Sequence, residues 1–218
     1  MKPRFSNQRT IALTMVEVLV VIVVLITVLA LLLPALAARK RATQRISCVS
    51  NLKQIGLAYR IWEGDHNDKY PMQVSVTNGG AMEIIGDSNA YLLWQTISNQ
   101  LSSPKILWCP ADTNTFPATS FSTGFSDANI SYFLNLDADE GYPQMIINGD
   151  DNLLVDGKPV RPGILNLWTN QIIVWTKDRH HDVGNIGLAD GSVQGLTTEG
   201  LQQALQQTGV ATNRLAIP

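Results

Sequence analysis

This sequence has few histidines, almost no net charge and no recognisable catalytic motif. The 218 residues include 3 histidines, and the formal net charge is −2. Without a basic excess the chain has no electrostatic footprint for nucleic acid, so we expect no nucleic-acid partner. Gly-x-Ser-x-Gly, His-Glu-x-x-His and phosphate-binding glycine loops are absent from the sequence. The sequence therefore offers no catalytic constellation of these kinds.

Long hydrophobic runs are absent too, with one exception near the N-terminus. Residues 18–33 contain no charged side chain and a single polar one, Thr27. With its flanks, the apolar stretch covers about 26 positions and, as a helix rising about 1.5 Å per residue, is roughly 39 Å long. That length exceeds the hydrocarbon core of a bilayer, which is about 30 Å thick. The run is therefore a transmembrane candidate, interrupted near its start by Glu17.

Three interpretations of this run compete. A secretory signal peptide would use the basic residues within positions 1–10 and an Ala-x-Ala-like cleavage site at 34–37, with Ala38 as the new N-terminus. A plain transmembrane anchor would remain uncut. Neither explains Glu17, because an acid costs about 2.5–3.5 kcal/mol at the centre of a membrane helix and no partner lies within the run.

The third interpretation gives Glu17 a partner. If the chain is cut after Ala12, Glu17 lies about one helical turn from the new N-terminus at Leu13. A terminal amine has a pKa of about 8 and is positively charged at neutral pH. In a staggered bundle of identical helices, this amine can pair with the Glu17 carboxylate of a neighbouring subunit.

These residues resemble the class III signal of type IV prepilins and type II secretion pseudopilins. That signal has a short basic leader, a small residue at the cut, and an apolar-Thr-apolar-apolar-Glu start to a long hydrophobic helix. Pro34 falls where many members carry a helix-kinking proline. The family usually has Gly before the cut and Phe after it, where this chain has Ala and Leu. The matching residues are Ala12, Leu13, Thr14, Met15, Val16 and Glu17.

The resemblance implies a division of the chain into three parts. Residues 1–12 would be a leader that prepilin peptidase removes, after which it would methylate Leu13. Residues 13–63 would form a transmembrane and assembly helix, with a membrane half and an amphipathic half. Residues 64–218 would form a head, so the expected fold is α+β and pilin-like, with the helix packed on a C-terminal antiparallel sheet.

The resemblance also implies a location and partners. Basic residues flank the run on both sides, so charge alone leaves the orientation open. The family places the protein in the inner membrane as a single-pass protein, with its head in the periplasm or at the cell surface. Its partners would be other pseudopilins in a homo-oligomeric filament, together with a secretion or pilus assembly platform. The implied function is structural, so the resemblance predicts that the protein is not an enzyme and needs no cofactor.

Hydrophobic periodicity continues the helix past the membrane run. Gly64 follows the last periodic residue and is a usual stop signal. Apolar residues recur every three or four positions, which predicts one buried helix face. These residues are Ile46, Val49, Leu52, Ile55, Tyr59 and Trp62.

The rest of the chain carries weaker secondary-structure signals. We predict short helices at 91–97 and 199–207, and strands at 130–136 and 172–175. Polar, acidic stretches at 137–141 and 148–152 are predicted to be turns.

Three segments are similar to a planctomycete-type branch of the same family. In the most specific segment, nine residues separate His180 from Asp190-Gly191, which is the branch's His-x9-Asp-Gly spacing, and Asn185 lies between them. The other two are residues 48–58, which contain Cys48, and residues 105–112, which contain Cys109 in an apolar-Cys-Pro-x-Asp pattern.

Turn chemistry offers a structural explanation of the His-x9-Asp-Gly segment. An Asp-Gly pair between two apolar stretches predicts a β-hairpin with a two-residue turn that needs positive φ. Asp190 and Gly191 are then turn residues, and we expect His180 to form a structural hydrogen bond to the hairpin. The competing hypothesis is a metal or catalytic site in a secreted or membrane-anchored binding protein or metallohydrolase. Its residues would be His180, His181, Asp182 and Asp190.

Two further features remain open. An extracytoplasmic head permits a Cys48–Cys109 disulfide that would tie the helix to the head, and two buried thiols are the alternative. Major pseudopilins of type II secretion often bind Ca²⁺ in a C-terminal loop, and the acidic stretches at 137–141 and 150–152 offer hard oxygen ligands. They do not follow the EF-hand pattern, and solvated turns often have similar sequences, so we assign no metal site.

Overall fold

The computed structural model describes residues 14–85 and 89–218, apart from the side chains at 34, 35, 37 and 38. The chain divides into two compact units, residues 1–42 and residues 43–218. Helix α1 (Met15–Gly64) contributes residues to both units. The predicted helix end agrees with the structure to within one residue, whereas its predicted start at Leu13 lies outside the described residues.

Within residues 1–42, the described part is mainly the apolar part of α1. Large apolar side chains from Met15 to Leu33 are exposed, for example Leu31 at 72%. Met15–Leu33 is a 19-residue segment with a mean hydropathy of 3.3, and it is the one segment among the described residues that is long and apolar enough to cross a membrane. Length and composition are the basis of this assignment, and an N-terminal signal sequence meets the same criteria.

The C-terminal part of α1 is a core element of the second unit. Leu52, Ile55, Tyr59 and Trp62 are buried, as the periodicity predicts. Ile46 was also predicted to lie on this face, but it is 69% exposed. A helix turns about 100° per residue, so a residue two positions before the buried Cys48 points away from the core. The buried face therefore begins at Cys48.

The second unit is mixed α+β with antiparallel sheets, which confirms the coarser part of the fold prediction. The larger sheet has six strands in the order β5-β9-β1-β2-β7-β8, and the smaller has three in the order β4-β3-β6. The strands are β1 (Tyr132–Asn135), β2 (Ile146–Asp150), β3 (Leu153–Val155), β4 (Lys158–Pro159), β5 (Gly163–Trp168), β6 (Ile173–Trp175), β7 (Val183–Leu188), β8 (Val193–Thr197) and β9 (Thr212–Ile217).

Strand β1 explains how the six-stranded sheet is covered on both faces. Successive side chains of a strand point to opposite faces. Tyr132 and Leu134 belong to a core cluster with the buried face of α1, whereas Phe133 belongs to a second cluster with Leu201 and Leu205. All four residues of β1 are buried. A central strand that is covered on both faces shows no polar alternation in its sequence.

Short helices complete the second unit. Helix α3 (Thr198–Gln206) begins after Thr197, whose hydroxyl accepts a hydrogen bond from Gly200 N at 3.3 Å. Helix α2 (Tyr91–Thr96) buries Leu93 and Trp94. The predicted helices at 91–97 and 199–207 and the predicted strands at 130–136 and 172–175 all match described elements. Single 3₁₀ turns lie at Pro71–Gln73, Val76–Asn78, Met82–Ile84, Pro104–Leu107 and Asp127–Asn129.

Candidate functional site

Residues from three distant segments, around Cys48, Cys109 and His180, meet at one buried place. Cys48 on α1 and Cys109 form a disulfide, with their Cα atoms 5.1 Å apart. On either side of this link, Gln44 Nε2 donates to Pro110 O at 2.7 Å and Asn51 Nδ2 donates to Trp108 O at 2.8 Å. These hydrogen bonds and the disulfide hold α1 against the residues around Cys109.

Arg179 joins the third segment to this place. Its Nη2 forms ion pairs with Asp112 Oδ2 at 2.6 Å and with Asp151 Oδ1, and its Nη1 donates to Ser131 O at 2.6 Å. Asp112 Oδ2 also accepts from the Ser131 and Thr115 hydroxyls, each at 2.8 Å. Burial raises the pKa of Asp151 to about 6, against the opposing effect of Arg179. Arg179 therefore compensates the charge of one buried and one partly buried carboxylate.

His180 and Asn185 converge on Asp150, at the end of β2. Asp150 Oδ2 accepts from Asn185 N at 2.8 Å and from Asn185 Nδ2 at 2.9 Å, and it lies 3.6 Å from His180 Nε2. Burial raises the pKa of Asp150 to about 7, although Arg179 and Asn185 oppose the rise. Burial, followed by Arg45 and Arg179, lowers the pKa of His180 to about 4. The His180 ring is therefore neutral at neutral pH, and its contact with Asp150 is not an ion pair.

The hairpin of β7 and β8 forms as predicted, but its turn differs. Leu188 N donates to Ser192 O and Gly191 N donates to Leu188 O, both at 2.9 Å, so residues 189–191 form a three-residue connection. Gly191 has φ +81°, and Asp190 has negative φ. A three-residue hairpin loop places a glycine in the left-handed region at its end and needs one positive φ rather than two.

The competing His/Asp cluster is not brought together. His180 precedes β7 and Asp190 follows it, and at about 3.3 Å per strand residue the two lie roughly 17 Å apart along the hairpin. His181 and Asp182 are exposed and have φ +56° and +62°. Among the described residues, the polar partners of the His180 ring are Asp150 and, at 3.6 Å, Cys109 Sγ. The predicted hydrogen bond from His180 to the hairpin is therefore wrong, because both partners lie outside β7 and β8.

The acidic stretches proposed as Ca²⁺ ligands are engaged by protein donors. Asp137 accepts from Arg214 N and Arg214 Nε, both at 2.8 Å. Asp139 accepts from Gly141 N at 2.8 Å and from Gln73 Nε2 at 3.0 Å. The prediction of a turn over 148–152 is wrong, because β2 extends to a fully buried Asp150.

At the N-terminus, Glu17 has a local role that the sequence analysis missed. Thr14 N and Thr14 Oγ1 donate to Glu17 Oε2 at 2.7 and 2.8 Å, and Glu17 N donates to Thr14 Oγ1 at 3.3 Å. This reciprocal pattern is a capping box, and Thr-x-x-Glu is its sequence signature. The predicted cleavage and methylation residues, Ala12 and Leu13, lie outside the described residues.

Some functional candidates had no strong sequence signal. Asp112 is distant in the chain from the others, and Asp150 and Asp151 lie in a stretch that resembles an acidic turn. Only the fold brings these three residues together around Arg179.

Comparison of the chain with protein-family models, with curated proteins and with solved structures returns no match. The geometry and the sequence therefore carry the functional argument by themselves.

Proposed function

We propose that this protein is a structural pseudopilin subunit that assembles into a filament through its N-terminal helix. The observation that carries the proposal is the apolar part of α1, Met15–Leu33, which exposes large side chains along its whole length and has one charged residue, Glu17. Such a surface needs lipid or other helices to cover it. A membrane covers it before assembly, and the helices of neighbouring subunits cover it in a filament.

Processing and location follow from the same proposal. Prepilin peptidase removes residues 1–12 and methylates Leu13, which leaves Glu17 near the new amine. The protein is then a single-pass inner-membrane protein with its head in the periplasm or at the cell surface, and it serves a type II secretion-like or pilus-like machine. The Cys48–Cys109 disulfide supports an oxidising compartment for the head.

The N-terminus of the mature chain tests this proposal directly. We would purify the full chain from a membrane that contains prepilin peptidase and measure its intact mass and N-terminal peptide. A start at N-methyl-Leu13 is the expected result. A start at Ala38 would instead indicate a secreted protein, and an uncut Met1 would indicate a plain anchor; either result would overturn the proposal.

Glu17→Gln separates the charge of Glu17 from its capping role. Glutamine at this position can still accept the hydrogen bond from Thr14 N, so the helix start is retained. Because the charge is lost, we expect normal membrane insertion and failure to join filaments in a cross-linking assay with the assembly platform. The matched control is Glu199→Gln, an exposed acid in the first turn of α3. Normal assembly of Glu17→Gln would contradict the charge-pairing model.

A further inference from the structure

A metal-ligand set lies beside the Arg179 ion pairs. Cys48 Sγ, Cys109 Sγ and His180 Nε2 lie within 4.8 Å of one another, and all three residues are buried. They form the one such group among the residues that the structure describes. Two cysteine sulfurs and an imidazole nitrogen are donors that Zn²⁺ prefers, and structural zinc sites combine them in tetrahedral geometry.

The spacing of these donors suits a zinc ion. Zn–S bonds of about 2.3 Å and Zn–N bonds of about 2.0–2.1 Å at tetrahedral angles place sulfur and nitrogen about 3.5 Å apart. Cys109 Sγ and His180 Nε2 are 3.6 Å apart. The distance between Cys109 Sγ and His180 Nε2 therefore already matches a tetrahedral zinc site. Reduction of the disulfide would allow the two sulfurs to separate.

The Asp150 carboxylate is not part of this three-residue group, but it lies beside His180 and is the candidate for a fourth donor. Its Oδ2 is 3.6 Å from His180 Nε2 and is oriented by the two Asn185 hydrogen bonds, as outer-shell donors orient metal-binding carboxylates. Its Oδ1 is buried and has no hydrogen-bond partner within the described part of the chain. A buried carboxylate oxygen without a partner is costly, and a metal ion would satisfy it.

Nearby arginines balance the charge of the filled site. Zn²⁺ with two thiolates and one carboxylate carries a net charge of −1, which is costly to bury without compensation. Arg179 forms an ion pair with Asp151, the residue after Asp150, and its charge lowers the pKa of Asp150 against the effect of burial. Arg45 Nη2 lies over Gly195, where a Cβ would come within 2.6 Å of it and within 3.4 Å of Asn185 Oδ1. Two cations therefore adjoin the site.

We propose that the reduced protein binds one Zn²⁺ through Cys48 Sγ, Cys109 Sγ, His180 Nε2 and the Asp150 carboxylate, and that the disulfide is the metal-free form of the same site. When a phosphine reductant cleaves the S–S bond, phosphorus takes the oxygen of one water and the two sulfurs take its protons. Each thiol then releases its proton to solvent as its Zn–S bond forms. The site does not depend on filament assembly.

Cobalt titration of the full chain in detergent tests this proposal. After phosphine reduction to two free thiols, we expect one Co²⁺ per chain, with thiolate charge-transfer and tetrahedral ligand-field absorption that Zn²⁺ abolishes. The untreated, disulfide-bonded protein should show neither absorption. Absence of these bands from the reduced protein at submillimolar cobalt would overturn the proposal.

Two histidine variants test the identity of the ligands. His180→Asn should weaken zinc binding at least tenfold while leaving both thiols in place. His181→Asn changes the adjacent, exposed histidine and should leave the affinity unchanged. Equal affinities in the two variants would contradict the site. If reduction abolishes the near-UV circular dichroism, zinc should restore it in the unmodified chain and not in His180→Asn; failure of zinc to restore it would also overturn the proposal.

Discussion

Arg179 is the residue on which the charge balance of the buried cluster depends. Its side chain is 8% exposed and lies between Asp112, which is buried, and Asp151, which is partly buried. Buried ion pairs contribute little net stability when they are intact, but loss of one partner leaves an uncompensated charge in a medium of low polarity. The two carboxylates therefore need this arginine even though the pairing itself adds little.

Arg179→Met is expected to lower the free energy of unfolding by about 3–5 kcal/mol, because it leaves the buried Asp112 and the partly buried Asp151 without their cation. Chemical denaturation followed by tryptophan fluorescence measures this change. Arg161→Met is the control, since Arg161 is exposed and surface substitutions usually stay within about 0.5 kcal/mol. An Arg179→Met protein as stable as the control would show that the cluster tolerates the unpaired acids.

Glu63 is a buried acid whose environment opposes its charge. Burial, and then the nearby Glu140, raise the pKa of Glu63 above 4.5, its ordinary value, while Arg60 at 3.7 Å opposes the rise. A raised folded-state pKa means that the folded protein holds the proton more tightly than the unfolded chain. The contribution of Glu63 to the free energy of unfolding is therefore complete at pH values below its pKa in the unfolded chain. It is lost as the pH rises through its pKa in the folded protein.

Glu63→Gln is expected to stabilise the protein at neutral pH, because it removes the cost of ionising a buried acid. The stability difference from the unmodified chain should vanish below about pH 4.5, where both states are protonated. Unfolding curves across this pH range measure it. Glu83→Gln should instead destabilise the protein at neutral pH, because hydrogen bonds from Ser75 Oγ and Val76 N stabilise the charged form of Glu83 and lower its pKa.

At the scale of elements, two glycines of the large sheet leave room for buried aromatic rings, one on the paired strand β1 and one on β6 of the smaller sheet. A Cβ added at Gly184 on β7 would lie 2.5 Å from the Trp175 ring, and a Cβ at Gly149 on β2 would lie 2.8 Å from the Phe133 ring. Both aromatic side chains are buried in the second core cluster. These glycines make room for aromatic packing, so the requirement is steric rather than conformational.

Gly184→Ala is expected to destabilise the protein by about 1–3 kcal/mol, because the buried Trp175 ring has to move to accept a methyl group. Thermal or chemical unfolding measures the loss. Gly56→Ala on α1 is the matched control: nothing lies within 4 Å of its added Cβ, and alanine is favoured over glycine in a helix by up to about 1 kcal/mol. Equal effects of the two substitutions would refute the steric argument.

At the scale of the whole molecule, the Cys48–Cys109 disulfide is the covalent cross-link between distant parts of the described chain. It joins α1 to a turn 61 residues away, and the two hydrogen bonds on either side of it connect the same two segments. A cross-link of this length removes conformational entropy from the unfolded chain. The disulfide therefore fixes the C-terminal half of α1 within the second unit.

Cys48→Ala combined with Cys109→Ala is expected to lower the free energy of unfolding by about 4 kcal/mol in metal-free buffer, from the entropy of a loop of this size. The unmodified chain under oxidising and reducing conditions supplies the control, and reduction should cause a similar loss. A double variant as stable as the oxidised protein would show that packing alone positions α1.

Local sequence patterns were sufficient to determine the long helix, its apolar segment and the β7–β8 hairpin. Each depends on residues close in the chain: a run without charge, a spacing of three to four residues, or an Asp-Gly pair. The Thr14–Glu17 capping box was equally local, and its Thr-x-x-Glu signature could have been found from the sequence.

Only the tertiary structure decided which polar residues are buried and which of them meet. Asp150 follows an apolar strand but belongs to a stretch that resembles a solvated turn, and its burial depends on β7 pairing with β2. Asp112, Arg179 and His180 come together through contacts that span about 70 residues. Periodicity carries no information about such distant pairs, because burial of a charge depends on the partner that the fold brings to it.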